Sequence, residues 1–394
     1  MWALKYIENI NLNPQNLHKK IADNIVELKG YFADDVLALT STKESLEDFT
    51  SLEEKLSWML FVDGCSLLHI LEHADLRKPE AMNIKVDQLV LVMMDALLLE
   101  NQLPYLLLKL LWKNDSEAEL KYAMKEFLKC HHWATPEKRS WRSRFQGHFE
   151  VHNQKKEEEQ HRISIQNESE SESPVHLLDL QRKIILTKSS PKTKGNEANI
   201  KNQGQANSEE LMTYRNIQDL RAVGIKLKSS ETRRPTDIGF SEGWFAAKLT
   251  LPEIVVDDTT KSTFLNLIAY EMCPDFENDY GICSFAAFMD SLIDHPEDVK
   301  ELRSKGILLN SLGSDEEVAD LFNVISTDLV PNPSTYLEVR AKIHKHYCNK
   351  CKTLIAQGIH TYFNGPWAFI AFLAAFIALV LTFVQTWFSI NPAS

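Results

Sequence analysis

Glycine is scarce in this chain, with 13 residues in 394. Large α/β enzymes spend glycine on phosphate-cradling turns, so a fold of that type is disfavoured. The fingerprints GxxxxGK(S/T), GxGxxG, GxSxG and HExxH are absent, which removes the sharper catalytic signatures. Cysteine is sparse too: Cys65, Cys130, Cys273, Cys283, Cys348 and Cys351 are scattered through the chain. A disulfide scaffold would be short and cysteine-dense, so free thiols in a reducing compartment are expected. Positive charge is in deficit, with a net charge of -12, and a polyanion is repelled. The basic clusters that exist are not interleaved with aromatics as a single-strand binder requires, so no nucleic-acid partner is expected. The opening residues Met1-Trp2-Ala3-Leu4-Lys5-Tyr6 show no apolar run with a small-residue cleavage site. No signal peptide is expected, and membrane delivery would come through the other end.

What is present is a core-forming composition, 44% hydrophobic and 25% charged. The length allows two ordinary domains, or one domain with a linker and an anchor. The anchor is the plainest feature. Trp367 to Phe388 reads WAFIAFLAAFIALVLTFVQTWF, 22 residues without a formal charge and with only Thr382, Gln385 and Thr386 polar. At 1.5 Å per residue it covers about 33 Å, enough for a hydrocarbon core of about 30 Å. Trp367 and Trp387 stand near the ends, where amphipathic rings favour the interface, and Pro366 suits a first helical turn. Residues 366–388 are therefore expected to cross a lipid bilayer, leaving 389–394 as a short tail. A buried core helix seldom runs so long without a charge. A cleaved lipid-anchor signal would need the missing signal peptide. Between Glu338 and Gly365 stand Arg340, Lys342, Lys345, Lys350 and Lys352 against one acid. Excess Lys and Arg mark the cytoplasmic flank, so the body is expected in the cytosol. The same cluster suits either anionic lipid or an ordinary solvated helix face, and both readings stand. A second apolar stretch, Leu89 to Trp112, carries Asp95, Glu100 and Lys109 and is broken by Pro104. Each charge at bilayer depth costs about 2.5–3.5 kcal/mol, so this stretch is core. The helices of 264–325 are its expected partner.

The expected fold is mainly α: a helical globular body with a small antiparallel β element, a disordered linker and one C-terminal transmembrane helix. Residues 1–150 read as helices, with a capping box from Ser51 to Glu54 opening a run through Leu56, Met59, Leu60, Leu67 and Leu68. Asp63-Gly64-Cys65 interrupts that run as a kink or a close backbone contact. Pro104 starts a new helix after a tight joint. Residues 151–210 are polar, charged and almost free of aromatics, a disordered linker with an island at Val175 to Leu180 that docks on the body. Residues 211–365 form the second part. Val223 to Lys228 and Trp244 to Leu251 read as strands, with turn chemistry at Ser241-Glu242-Gly243 and an edge-type element at Ile254 to Val256. Helices follow at Phe264 to Ile268, from Pro296 to a stop at Gly306, and after a second capping box at Ser314 to Glu317.

The search for chemistry assigns no catalytic, cofactor-binding or metal residue. Asp257-Asp258 and Asp315-Glu316-Glu317 sit at helix starts, where acids favour the positive end of the dipole. His344, His346, Cys348 and Cys351 resemble a zinc set. On one helix, though, His346 points away from the face shared by His344, Cys348 and Cys351, and nearby lysines disfavour a dication. Cys130-His131-His132 lacks a partner at ligand spacing.

Seven segments stand out in order along the chain: Leu97 to Pro104 (LLLENQLP), His176 to Leu180 (HLLDL), Leu251 to Asp258 (LPEIVVDD), Phe264 to Glu271 (FLNLIAYE), Phe288 to Asp294 (FMDSLID), Leu312 to Ala319 (LGSDEEVA) and the terminal anchor. Together they resemble the plant domain of unknown function 247 family. They occur in the family's order and cover most of the chain. The usual Ser-Ile-Gly-Pro-like N-terminal stretch is missing. The resemblance implies a plant protein, usually at the plasma membrane, with no assigned catalytic activity; some relatives are recognition determinants in self-incompatibility. The leading expectation is a membrane-tethered interaction module with an unidentified protein partner, no cofactor and no small-molecule substrate. The alternative is a membrane-bound enzyme, for instance a hydrolase, without a legible motif.

Overall fold

Helix boundaries follow local capping chemistry along the chain. The computed structural model describes residues 1–34, 37–38, 49–114, 116–129, 173–187, 216–230, 232–243, 247–276, 280–327, 329–348 and 366–390. Three helices open it: α1 (Trp2–Ile10), α2 (Pro14–Asp23) and α3 (Ile25–Lys29). Then α4 (Leu52–His73) starts where the Ser51 side chain accepts the Glu54 N–H. The Glu54 carboxylate reaches back to the Thr50 N–H, one residue beyond the usual box. The Leu89–Trp112 stretch breaks into α5 (Val86–Asp95), a 3-10 turn at Leu99–Asn101 and α6 (Tyr105–Leu111), with Pro104 at the joint as expected. The first lobe closes with α7 (Glu117–Leu128).

These helices share one core. The centre is α4, apolar on most sides, with Leu60, Cys65, Leu68 and Leu71 buried. Gly64 does not kink it. A Cβ there would lie 2.5 Å from Leu111 Cδ1, so its role is the close approach of α6. Leu107, Leu108 and Leu111 are fully buried, worth about 1.5–3 kcal/mol each by area. The Tyr6 hydroxyl donates to the Leu111 carbonyl at 3.0 Å and ties α1 to the end of α6. The stretch is core, as its charges implied. Its partners, however, are mainly α2, α4 and α7 of its own lobe, and only Leu99 packs on the second core. The expectation of a partner in 264–325 holds for that one residue.

The second lobe comprises α9 (Ile217–Ala222), β1 (Ile225–Ser229), β2 (Gly239–Ser241), β3 (Ala247–Leu251), β4 (Ile254–Val256), α10 (Thr260–Glu271), α11 (Gly281–Asp290), α12 (Pro296–Ser304), β5 (Leu308–Asn310), α13 (Asp315–Ile325) and α14 (Leu337–Tyr347). Alternation makes β3 a strand: Ala247, Leu249 and Leu251 are buried while Lys248 is exposed. The β element is mixed, not purely antiparallel. β3 pairs parallel with β1 and antiparallel with β2, and β4 pairs parallel with β5 across three intervening helices. Both β4 and β5 are too short for their pairing to be read locally. Gly306, at φ +64, closes α12, and Ser314 caps α13 by accepting the Glu317 N–H.

Between the lobes lies α8 (Leu177–Leu186), the island inside the expected linker. Leu177 and Leu180 belong to the first core, Leu178 and Ile185 to the second. The rest of that expected linker, 151–172 and 188–210, lies outside the described residues, as do Cys130-His131-His132, Cys351, Lys350 and Lys352. Last comes α15 (Pro366–Ile390), whose residues Ile370–Trp387 are exposed throughout and contain no Asp, Glu, Lys or Arg. It extends two residues beyond the expected span. It is the one described helix long and apolar enough to cross a membrane.

Candidate functional site

One face of α4 borders a groove of about 500 Å³; along it Met59 and Asp63 are exposed, while Leu56, Leu60, Leu67 and Ile70 are buried at its base. The floor residues Leu56, Met59, Leu60, Asp63, Ser66, Leu67 and Ile70 recur at the three- and four-residue spacing of a helix face. Trp2 and Phe32 form one wall, and Val92, Asp95, Ala96 and the segment Glu100 to Leu103 the other. Three carboxylates, Asp63, Asp95 and Glu100, line it, and none of its lining residues among the described ones is basic. None of the three has an ion-pair partner among the described residues. The apolar surroundings push the Asp63 carboxyl above its ordinary value by burial, although the residue is exposed toward the open side. The Ser66 hydroxyl donates to the Val62 carbonyl at 2.7 Å, so it is committed to its own helix. The groove offers apolar area and negative charge, the equipment for binding.

The acidic wall is held by the segment that resembles a family hallmark. Gln102 Nε2 donates to the Ala96 and Leu98 carbonyls at 3.0 and 2.8 Å, while its Oε1 accepts the Leu178 N–H of α8 at 2.9 Å. Asn101 Nδ2 donates to the Asp95 carbonyl, and the Leu99 N–H donates to Asn266 Oδ1 of α10 at 2.8 Å. Pro104 turns the chain so that the Tyr105 N–H meets the Val175 carbonyl at 2.8 Å. The wall is thereby bonded to the inter-lobe helix and to the second lobe.

Behind it lies a buried ionic junction. Glu271, fully buried, accepts Arg182 Nε at 2.6 Å and the Ile282 N–H at 2.9 Å on Oε1, and the Cys283 N–H at 2.8 Å on Oε2. Its carboxylate thus sits at the positive end of α11. The Arg182 guanidinium stacks over Phe276 at 4.9 Å. Asp179 accepts the Val175 N–H, Lys183 at 3.1 Å and the Tyr270 hydroxyl at 3.3 Å. Burial pushes His176 down to about 4, so it is neutral, and its Nδ1 accepts the Asp179 N–H at 3.1 Å. The thiol of Cys283 is pushed up to about 12 by burial and the nearby Glu271, and that of Cys65 to about 12 by burial. Neither is a ready nucleophile.

The zinc-like set does not assemble in what is described. Cys348 Sγ lies 3.6 Å from His344 Nε2, but His346 turns inward, with Nε2 3.1 Å from the Val223 carbonyl. No group of three metal-capable side chains occurs among the described residues. Asp257 Oδ1 accepts the Thr259 N–H and the Thr259 and Thr260 hydroxyls at the start of α10, and Asp315 pairs with Arg303 at 2.8 Å. Sequence reasoning missed the groove. Its one local signal was Asp63, an acid set into a largely apolar helical stripe.

Comparison with known proteins gives a consistent picture. The family model DUF247, described as plant protein of unknown function, matches residues 3–381. The putative UPF0481 protein At3g02645 of Arabidopsis thaliana is 27% identical over 177 residues, 45% of this chain and 33% of that protein. The UPF0481 protein At3g47200 of Arabidopsis thaliana is 30% identical over 224 residues, 54% of this chain and 46% of that protein. The chain's matches thus span less than half the length of these curated relatives. No solved structure matches.

Proposed function

Because the chain belongs to DUF247, a family of plant proteins of unknown function, we propose its role from the geometry alone: a membrane-tethered interaction module, not an enzyme, that presents its groove to a protein partner. The observation that carries this reading is the groove along α4, a largely apolar trough edged by the carboxylates of Asp63, Asp95 and Glu100. The exposed apolar α15 supplies the tether, holding the body at a bilayer through residues 366–388. We place the body on the cytosolic side of the plasma membrane; Arg340, Lys342 and Lys345 on α14 precede the anchor and support that orientation.

Proximity labelling of the intact protein in its native tissue tests the role. An Ala96→Trp variant, which fills the groove, should lose discrete protein neighbours that the parent labels. An unchanged set of neighbours overturns the reading. Orientation has its own check in the sequon Asn114-Asp115-Ser116, whose Asn114 is exposed before α7. A cytosolic body stays unglycosylated, and glycosidase leaves its mass unchanged.

A further inference from the structure

The groove's charge and shape together specify what enters it. Its floor is one face of a single helix from Leu56 to Ile70, about 21 Å long at 1.5 Å per residue. A trough that follows the helix over that length matches a rod of similar length better than a compact small molecule, which would be enclosed. Three carboxylates face the trough without a cationic partner among the described residues. Covering them with an apolar or acidic occupant would strip water from unpaired charge, which is costly. An anionic membrane surface meets the same repulsion, reinforced by the net charge of -12.

We propose that the groove receives a cationic amphipathic helix from a partner protein. Its apolar residues, at i, i+3 or i+4 and i+7, lie against the exposed Met59 and the half-buried Trp2, Phe32, Val92 and Leu103, and its lysines or arginines lie on the flank facing Asp95 and Glu100, within reach of Asp63. The proposal rests on the interaction reading above and adds the chemistry of the partner. The wall that carries Asp95 and Glu100 is fixed by Asn101 and Gln102, so the charge pattern is preorganised.

The test uses the full chain in a non-ionic detergent and three fluorescent synthetic helices of about 14 residues, the number that spans the floor. All carry leucine at the groove-facing positions; one flank carries lysine, glutamine or glutamate. Empty micelles provide the background. The lysine peptide should bind at least about tenfold more tightly than the glutamine peptide, with the glutamate peptide weaker still. Both Ala96→Trp and the double reversal Asp95→Lys with Glu100→Lys should weaken the lysine peptide by about tenfold or more. Asp95 and Glu100 are exposed, so the reversal spares the core. Raising salt from about 50 to 200 mM should weaken it several-fold.

Equal binding of the three peptides overturns the proposal, as does lysine-peptide binding that survives Ala96→Trp, or no binding at all. If any of these occurs while Ala96→Trp still removes neighbours in tissue, the interaction module stands and only the cationic helix falls. If the neighbours also persist, both fall.

Discussion

Replacing Arg182 by methionine should destabilise the body more than any surface change, because it leaves the Glu271 carboxylate buried without its counter-ion. The side chains of the pair are 7% and 0% exposed and lie 2.6 Å apart, so solvent screening is minimal. Two backbone N–H groups of α11 remain on the carboxylate, but neither carries a full charge. Breaking a buried pair by removing one partner costs about 3–5 kcal/mol. For a body of this size each kcal/mol lowers the thermal midpoint by about 2–4 °C, giving a drop of about 6–20 °C. Calorimetry on the full chain in detergent measures it. The double variant Arg182→Met with Glu271→Gln removes both charges and keeps an amide oxygen for one N–H donor. It should recover a large part of the loss, and the double-mutant cycle isolates the pair. A single variant within about 1 kcal/mol of the parent, a small fraction of the cost of an uncompensated buried charge, refutes the reasoning. So does a double variant as unstable as the single one, which would mean that packing on Phe276 matters more than charge.

Three further outcomes follow from the geometry. Gly64→Val should cost about 1–3 kcal/mol by overpacking α4 against Leu111, and adding Leu111→Ala should return part of it, read from urea midpoints. His69 is buried and pushed down to about 4 by burial and the positive charge of its neighbours, so the folded state resists a proton that the unfolded chain accepts below pH 6.5. Stability should therefore fall as pH drops from 6.5 toward 4, by about 1–2 kcal/mol from this residue at pH 5, and His69→Met should flatten the slope. Glu117, held down to about 2 by Ser173 and Lys109, adds its own loss only below pH 4.5. Removing residues 366–394 should release the protein from the membrane pellet with its thermal midpoint kept; retention in carbonate-washed membranes would refute the single-anchor reading.

Local chemistry was legible where one segment suffices to express it. Ser51 and Ser314 capped the expected helices, Gly306 stopped one, and the uncharged run at 367–388 announced α15. The buried role of Leu89–Trp112 was legible from its interrupting charges. Its packing was not, since nothing in those residues says whether Leu107 meets α4 or a helix two hundred residues away. β2 and β5 were missed for a related reason. Three residues carry too little alternation, and their pairing with β3 and β4 is non-local. The antiparallel pairing expected for the small β element holds for β2–β3, while the parallel β1–β3 and β4–β5 pairs depend on crossovers that no local segment expresses. The groove was the least legible feature. It exists only because α4, α5 and the Glu100–Leu103 segment leave a strip between them, and its described lining also draws on Trp2 and Phe32, far away in the sequence.

The position of α8 bears on how such a chain can be divided. Its ten residues place Leu177 and Leu180 in one core and Leu178 and Ile185 in the other. Any cut before it opens the first lobe, and any cut after it opens the second. A single-residue insertion within it would turn everything downstream by about 100°, exchanging the two allegiances. Recombination could not trade one lobe for a foreign one unless the newcomer accepted the face of α8 left behind. The two lobes are therefore heritable only as a pair.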